Sequence, residues 1–523
     1  MQELPVGVQD FPMIRKDKML YVDKTGQLLA IIKQGRRYFL ARPRRFGKSL
    51  TLSTLEAMFR GASELFAGLA AETWVKERSA CPYPVLRLDL SALASYKTAA
   101  ELNSELIIYL EKKARAQGLQ LTRQASADAM LSELLSGIHA KEGELVLLID
   151  EYDKPILDNV QDRQQAAAMR SLLRSFYTVL KSHDEFIRFL FITGISQFTK
   201  VGVFSALNNL LDISLVHKFA DIVGYTQAEL EANFSEQITS TAKNLAISKH
   251  QVLTTLKKYY DGFSFDGKTK LYNPFSILSF FLNEEIKNYW YDSGSPTFIV
   301  NWMKDHQILS PEKYRQIAVD FDFIDSHEIE TAKPESFLFQ SGYLTIKERK
   351  NGQYILDYPN QEVLLAISKM FLGHLYRIEN YTSLGTAIWQ ALEKANLKEI
   401  AQLMNRALAE IPYEDFVDRD EFWYRSLFLM LLRGAGIIAQ AEVHTSHGRS
   451  DVTILMPSLT AVLEFKFAKR SRDVEAMRRQ GLAQLLAKKY AETYRGEGRS
   501  VVQAVLIADD EKRQTVYCQV KED

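Results

Sequence analysis

The feature that most constrains this chain is the loop at residues 42–49, which ends in Gly-Lys-Ser. The apolar residues 38–41 before it predict a short buried strand, and residues 50–60 after it place apolar side chains along one face of a helix. Such a strand, loop and helix predict a phosphate-binding loop. N–H groups at a helix N-terminus donate to phosphate oxygens, the lysine reaches the terminal phosphates, and the hydroxyl binds Mg²⁺.

Arginine replaces the glycine that usually begins such a loop. Arg42 stands at that position, and Pro43 follows it. A loop with one glycine cannot wrap phosphates as a glycine-rich loop does, so we expect neighbouring arginines to supply charge. They either face the phosphates or fix the loop from outside. The residues of this loop that we predict to bind nucleotide are Arg44, Arg45, Gly47, Lys48 and Ser49.

Two later apolar segments end in polar residues. One runs into Asp150 and Glu151, and the next runs into Thr193. This order of strands after a phosphate loop indicates an open α/β NTPase sheet, in which ligands bind at the carboxyl ends of parallel strands. We expect Asp150 to bind Mg²⁺ together with Ser49, Glu151 to polarise the attacking water, and Thr193 to contact the terminal phosphate.

Composition excludes several classes of protein. The 523 residues predict roughly three domains. Lysine plus arginine and aspartate plus glutamate balance at 65 each, which argues against a highly basic coating protein. Cys81 and Cys518 are too few for a disulfide framework or a metal cluster. The sequence has no apolar signal core and no apolar run long enough to span a bilayer, so it predicts a cytoplasmic protein without membrane contact.

The middle of the chain combines helical segments with aromatic loops. The aromatic stretches at 259–265 and 271–277 either form a helical lid over a nucleotide or pack a small helical domain. Alternating segments at 342–347 and 353–358 flank Asn-Gly and predict a β-hairpin. The hairpin is either the wing of a DNA-reading module or a structural link.

The last third predicts a second site. Segments at 437–443, 449–455 and 461–467 predict three strands, followed by a helix at 472–495 and a strand at 501–507. On the third strand, Glu464 and Lys466 are two residues apart and therefore share a face. A hairpin would bring both near Asp451, at the start of the second strand.

This trio of side chains predicts metal-dependent chemistry. Asp451 and Glu464 supply hard oxygen ligands for Mg²⁺ or Mn²⁺. Lys466 can orient or deprotonate the attacking water, or offset charge on a phosphate. Glu442, on the first strand, is a further candidate acid.

The motifs resemble two known families. The N-terminal part resembles the bacterial AAA-ATPase-like family, and Arg-Pro-Arg-Arg is that family's own form of the phosphate loop. The C-terminal part resembles the PD-(D/E)XK nuclease superfamily. The stretches that carry these resemblances are Tyr21-Val-Asp-Lys-Thr25, Arg42-Pro-Arg-Arg-Phe-Gly-Lys-Ser49, Leu148-Ile-Asp-Glu-Tyr-Asp153, Ile192-Thr-Gly-Ile-Ser196, Gly448-Arg-Ser-Asp451 and Glu464-Phe-Lys466.

The resemblance implies an architecture and further site residues. It implies an α/β chain with an AAA-like ATPase domain at 1–221, a helical lid and connecting region with the hairpin at 222–380, and a nuclease-like domain at 381–523. Gln484 and Tyr490 match the nuclease family's Gln and Tyr positions.

Two functions remain open from the sequence. In the first, ATP binding and hydrolysis control a Mg²⁺- or Mn²⁺-dependent nuclease that acts on nucleic acid, with DNA favoured over RNA. In the second, the chain is a nucleotide-dependent switch whose nuclease-like domain only binds nucleic acid or a protein partner. The sequence leaves a homo-oligomer open in both cases.

Overall fold

The computed structural model describes most of the chain as two compact units. The first unit comprises residues 1–294 and 316–362, and the second comprises 295–315 and 363–523. The described residues are 1–519 without 95, 123, 160–161, 198–201, 205–206, 208, 291–299, 301, 304–305, 307, 309, 325–331, 413–418, 446–447 and 495–497, and only the backbone is described at 444, 445, 448 and 519. The three-domain division from the sequence stays a prediction.

The first unit is built on a parallel sheet. The sequences of its strands are mostly apolar because helices cover the sheet. Its order is β2-β3-β4-β1-β5, so the strand before the phosphate loop lies between β4 and β5. The predicted α/β NTPase sheet is confirmed. The strands are β1 Arg37–Ala41, β2 Val85–Asp89, β3 Leu145–Asp150, β4 Ile187–Gly194 and β5 Leu211–Asp212.

Helices connect these strands and begin where the sequence supplies caps. Thr98 and Glu101, for example, form a reciprocal capping box at the start of α5. The helices of this part are α1 Phe11–Lys16, α2 Thr25–Gln34, α3 Lys48–Phe59, α4 Glu72–Arg78, α5 Ala99–Ala116, α6 Ala127–Glu142, α7 Lys154–Leu157 and α8 Arg163–Ser182.

The middle of the chain is helical, as predicted, and carries a three-stranded sheet in the order β6-β8-β7. The predicted hairpin is confirmed: Asn351 and Gly352 both have positive φ, at 52° and 78°, as an Asn-Gly hairpin turn requires. Its role as a wing stays a prediction. The elements are α9 Gln227–Asn233, α10 Ser235–Asn244, α11 Lys249–Tyr260, α12 Pro274–Asn283, β6 Ile317–Val319, α13 Pro334–Gln340, β7 Thr345–Lys350, β8 Gln353–Asp357 and α14 Gln361–Met370.

The second unit contains a mixed sheet in the order β13-β12-β11-β10-β9, in which only β11 and β12 are parallel. Helix α18 packs on β11 and β12, and α17 packs on β9 and β11. The final strand has no counterpart in the sequence prediction. The elements are α15 Tyr381–Glu393, α16 Leu397–Glu410, α17 Glu421–Gly434, β9 Ile438–Thr445, β10 Gly448–Leu455, β11 Leu459–Ala468, α18 Val474–Lys488, β12 Ser500–Asp509 and β13 Gln514–Gln519.

None of the helices within the described ranges is both long and apolar enough to cross a membrane.

Candidate active sites

Gly47 forms the turn from the phosphate loop into helix α3. Its φ of +92° lies in the left-handed region that favours glycine, and a Cβ here would meet nothing within 4 Å. Glycine is therefore favoured here by the positive φ, and not because a side chain would clash with a neighbour. Helix α3 begins at the next residue, so the first N–H groups of the helix, which have no partner within it, face the loop. The strand, loop and helix occur as the sequence predicts, and the binding of phosphate by this loop stays a prediction.

Lys48 is buried at the centre of the loop. Its Nζ donates to the carbonyl oxygens of Arg42 at 2.9 Å and Pro43 at 3.0 Å. Burial lowers the pKa of Lys48, and the carboxylates of Glu151 and Asp150 oppose that shift. The ammonium thus lies between the loop's own carbonyls and the acids that follow β3.

The path of the Arg42 side chain explains how an arginine can stand where the loop usually has its first glycine. Its guanidinium leaves the loop, donates to the carbonyl of Ser214 at 2.5 Å and stacks over Phe265, with 4.0 Å from Cζ to the ring centroid. The side chain is 1% exposed, and burial lowers the pKa of Arg42 to about 9. Arg42 therefore fixes the loop from outside.

The two following arginines differ in their surroundings. Arg45 has a φ of +67°, donates to the carbonyl of Tyr289 at 2.6 Å and lies over the ring of Phe275 at 3.7 Å. Arg44 is exposed, and its charge lowers the pKa of Glu151 against the larger effect of burial. In this structure Arg45 anchors the loop, whereas Arg44 faces the acids. Direct contact of either with phosphate stays a prediction.

The acids predicted at the end of β3 lie against the loop. Asp150 is 1% exposed, and burial raises its pKa while the Ser49 hydroxyl opposes the shift. Its Oδ2 is buried without a hydrogen-bond donor among the described residues, and the Arg87 guanidinium lies 3.9 Å away. Burial also raises the pKa of Glu151, which has a φ of +50°. A buried carboxylate oxygen without a donor suits a cation.

Thr193 lies at the end of β4, but its hydroxyl already has a partner. Thr193 Oγ1 donates to the carbonyl of Leu40 on β1 at 2.9 Å. The predicted contact of Thr193 with the terminal phosphate stays a prediction. The backbone after β4 is held by Asp153, whose Oδ2 accepts the N–H of Ser196 at 2.6 Å and of Ile195 at 3.1 Å.

In the second unit, Asp451 lies where β10 separates from β11. Pairing between these strands runs from Val452 opposite Leu463 towards the turn. At the point of separation, Asp451 Oδ2 accepts the N–H of Phe465 at 2.8 Å. The carboxylate thereby substitutes for a strand carbonyl and is held beside Glu464, as the sequence predicts.

Glu464 and Lys466 form a buried pair on β11. Lys466 Nζ donates to Glu464 Oε1 at 2.6 Å, and Glu464 is 1% exposed. Burial raises the pKa of Glu464 to about 7, repulsion from Asp451 adds to the shift, and Lys466 opposes it. Glu464 Oε2 is buried without a hydrogen-bond donor among the described residues. The structure therefore brings the predicted trio together.

Helix α17 adds two residues that the sequence did not indicate. Arg425 donates to Asp451 Oδ1 at 3.1 Å and to Glu442 Oε1 at 3.0 Å. Glu421 lies one helical turn earlier. Burial raises the pKa of Glu421, Lys466 opposes the shift and Asp451 adds to it, so this acid faces the same site. The i, i+4 spacing of Glu421 and Arg425 was the available signal.

Helix α18 covers the other side of Lys466. A Cβ at Gly481 would lie 2.5 Å from Val505 Cγ1 and 3.4 Å from Lys466 Cγ, so only glycine allows this close approach. Gln484 is half-buried one turn further along the same face of the helix. Tyr490 is buried after the end of the helix. The predicted role of Gln484 stays a prediction.

The residues at both sites can be compared with the ligands that the predicted cations require. Among the described residues, no group of three or more His, Cys, Asp or Glu side chains is placed to hold a metal ion. Mg²⁺ needs fewer protein ligands, because it keeps several waters and binds through one or two carboxylates together with phosphate oxygens. The orphaned oxygens of Asp150 and Glu464 fit that requirement.

Comparison with known proteins matches this chain to two families. The family model described as "Predicted AAA-ATPase" matches residues 5–204, and that of the PD-(D/E)XK nuclease superfamily matches residues 419–517. The chain is also 33% identical over 512 residues to a protein of Azotobacter chroococcum mcd 1 named "Uncharacterized protein in vnfD 5'region", with 96% of this chain and 95% of that protein covered. The chain belongs to the AAA-ATPase-like family, with a C-terminal PD-(D/E)XK nuclease superfamily domain.

The first family motif of this AAA-ATPase-like chain has a structural role here. Asp23 accepts the N–H and hydroxyl of Thr25 at the start of α2, at 2.8 and 2.7 Å. Lys24 pairs with Glu229 at 2.6 Å and donates to the carbonyl of Asp221. The motif thus ties the start of α2 to residues 221–229, at the beginning of the helical region.

Proposed function

We propose that this chain binds and hydrolyses ATP in its N-terminal domain, and that nucleotide binding controls a C-terminal Mg²⁺-dependent nuclease that acts on nucleic acid, with DNA favoured over RNA. One observation carries the proposal. The chain has two separate sites in which a buried lysine faces carboxylates, and these sites lie in an AAA-ATPase-like domain and a nuclease superfamily domain.

At the N-terminal site, the loop supplies the donors for phosphate. Lys48 donates to two loop carbonyls, and phosphate oxygens can replace these acceptors without leaving the ammonium unpaired. The N–H groups at the start of α3 add a favourable helix dipole. Ser49 and Asp150 would hold Mg²⁺, which supplies charge stabilisation on the phosphates when bound. Glu151, across from Lys48, polarises the attacking water.

At the C-terminal site, Asp451 and Glu464 would hold Mg²⁺ or Mn²⁺, which supplies Lewis-acid charge when bound. Lys466 is kept in place by Glu464 on its own strand and by the close approach of α18 at Gly481. From this position its ammonium orients or deprotonates the attacking water, or offsets charge on the phosphate. Gln484 lies on the same face of α18 and helps to position the substrate.

A second candidate is a switch whose nuclease-like domain binds nucleic acid or a partner without cleaving it. The observation that favours it is the ion pair between Arg425 and Asp451, since it occupies one oxygen of a predicted metal ligand. This candidate predicts ATP binding that Lys48→Ala removes, together with no cleavage in the presence of any metal.

The test is a cleavage assay on the purified full-length chain with Mg²⁺ or Mn²⁺ and with single- and double-stranded DNA and RNA. We expect cleavage by wild type, none by Asp451→Ala, and a rate at least about a hundredfold lower for Lys466→Ala. Lys489→Ala, which removes an exposed lysine at the end of α18, is the matched control and should keep activity. Cleavage that survives both site substitutions would contradict the nuclease proposal.

A further inference from the structure

Arg425 engages two carboxylates on neighbouring strands. Strand pairing passes from Ser450 opposite Val443 to Val452 opposite Ala441, which places Asp451 and Glu442 across from each other. Like charges that face each other across a strand pair repel. The Arg425 guanidinium bridges them, with 3.1 Å to Asp451 and 3.0 Å to Glu442.

The local backbone is adapted to this bridge. Glu442 has a φ of +53°, in the left-handed region that non-glycine residues rarely adopt. The side chains of Arg425 and Asp451 are 11% and 17% exposed, so the Asp451 half of the bridge is largely shielded from water, whereas Glu442 is 39% exposed. Ion pairs of this kind are screened less than surface pairs. Replacing Arg425 therefore leaves two facing acids without their bridging cation.

Both oxygens of Asp451 are occupied in this arrangement. Oδ2 accepts the N–H of Phe465, and Oδ1 accepts from Arg425. The Phe465 bond is part of the sheet, so the Arg425 bond is the one that a cation can displace. Glu464 differs, because its buried Oε2 has no donor among the described residues. Cation binding to Asp451 thus competes with Arg425, whereas binding to Glu464 Oε2 does not.

We propose that Arg425 is a latch on the nuclease site, which a divalent cation must displace from Asp451 before both carboxylates can bind it. The inference rests on the proposed metal site and adds its regulation. Displacement from Asp451 leaves the guanidinium its second partner, Glu442. The released side chain therefore stays at the site and can close the latch again when the cation leaves.

The chain offers a matched control for this proposal. Arg449 also pairs with Glu442, at 3.0 Å, but its side chain is 52% exposed, and within the described part of the chain its ion pair is with Glu442 alone. Arg449→Gln therefore removes the same charge from the same acidic cluster without freeing Asp451. Any gain in cation affinity that comes only from lost positive charge should appear in both variants.

The experiment is Mn²⁺ titration of the full-length chain by calorimetry, with every variant carrying Asp150→Asn so that the N-terminal site is silent. Because the charge-assisted hydrogen bond from Arg425 no longer competes for Asp451, Arg425→Gln should bind Mn²⁺ at least about tenfold more tightly than the parent. Arg449→Gln should stay within about twofold of the parent, as expected for a surface pair. Asp451→Asn should lose most of the affinity.

The results distinguish a failure of the latch proposal from a failure of the proposed metal site on which it rests. If Asp451→Asn weakens binding but Arg425→Gln equals the parent or binds more weakly, the metal site stands and the latch is wrong. An equal gain in Arg425→Gln and Arg449→Gln also refutes the latch, because charge alone would explain it. If neither the parent nor Arg425→Gln binds Mn²⁺, both proposals fail.

A second variant keeps the test valid if Arg425→Gln does not fold. Arg425→Lys keeps the charge, but an ammonium cannot bridge two carboxylates as a guanidinium does. It should bind Mn²⁺ more tightly than the parent and raise the melting temperature further on Mn²⁺ addition. A melting shift no larger than that of the parent would contradict the latch.

Discussion

The two acid-and-lysine sites of this chain hold their lysines in different ways. Lys48 donates to backbone carbonyls of its own loop, whereas Lys466 donates to the carboxylate of Glu464. An incoming phosphate can replace neutral carbonyls without separating an ion pair. A cation that binds Asp451 must instead displace the ion pair that Arg425 makes with this acid. On the proposed function, the N-terminal site is preorganised for phosphate, whereas the C-terminal site takes its cation only after Arg425 moves.

The largest effects should come from breaking the C-terminal site. Lys466→Ala removes the ammonium that faces the attacking water or phosphate, and it leaves Glu464 buried without its cation. We expect the rate of cleavage to fall about a hundred- to thousandfold, as for the loss of one preorganised donor. Initial rates on the best substrate of the panel measure this. A rate within a few-fold of wild type would place the chemistry elsewhere.

Lys48→Ala tests the N-terminal site. We expect the affinity for ATP to fall about a hundredfold, or about 2.7 kcal/mol, because the charge-assisted bonds to the terminal phosphates are lost. Mn²⁺ binding at Asp451 and Glu464 should not change. Calorimetric titration with ATP measures the loss, with the exposed Lys33→Ala as control. Unchanged ATP affinity would show that the loop does not hold the phosphates.

Substitution of one glycine at each site distinguishes the functions of the two sites. Gly481→Ala drives a Cβ to 2.5 Å from Val505, and such overpacking costs about 1–3 kcal/mol of unfolding free energy. Gly47→Ala meets nothing within 4 Å but must hold a φ of +92°, which costs about 1–2 kcal/mol. Urea unfolding measures both. The two substitutions should affect different activities. Gly481→Ala should slow cleavage, and Gly47→Ala should weaken ATP binding. The reverse pattern would contradict the assignment.

A buried carboxyl outside both sites tests whether burial alone raises a pKa in this chain. Glu362 accepts from Ser276 Oγ and the N–H of Trp290, both at 2.8 Å, yet burial raises its pKa to about 8. The folded chain keeps this proton after the unfolded chain has released it. Stability should therefore fall as pH rises from about 5 towards 8, by at most about 1.4 kcal/mol per unit.

Glu362→Gln should remove that part of the pH dependence. Melting temperatures at pH 5.5 and 7.5 measure it, and the wild type should lose more stability between them than the variant. Glu144→Gln, at an exposed position, is the control and should follow the wild type. Equal slopes for wild type and Glu362→Gln would mean that Glu362 is ionised in the folded chain.

The sequence predicted the fold and both groups of acids because those features are local. The apolar runs before Asp150 and Glu464 mark strands, and Gly47 marks the turn between a strand and a helix. The outward path of Arg42 was not predictable, since its partner Ser214 is 172 residues away. Arg425 was missed for the same reason: its contact with Asp451 exists only after α17 and the sheet have formed.

In the proposed function, nucleotide binding at Lys48 controls cleavage at Asp451. The decisive experiment compares the cleavage rate with and without ATP for wild type, Lys48→Ala and Asp451→Ala. We predict that ATP changes the wild-type rate at least about fivefold, the low end of allosteric coupling. Lys48→Ala should cleave at a rate that ATP does not change, and Asp451→Ala should not cleave. A wild-type rate that is the same with and without ATP, or an ATP response that survives Lys48→Ala, would show that nucleotide bound at Lys48 does not control cleavage.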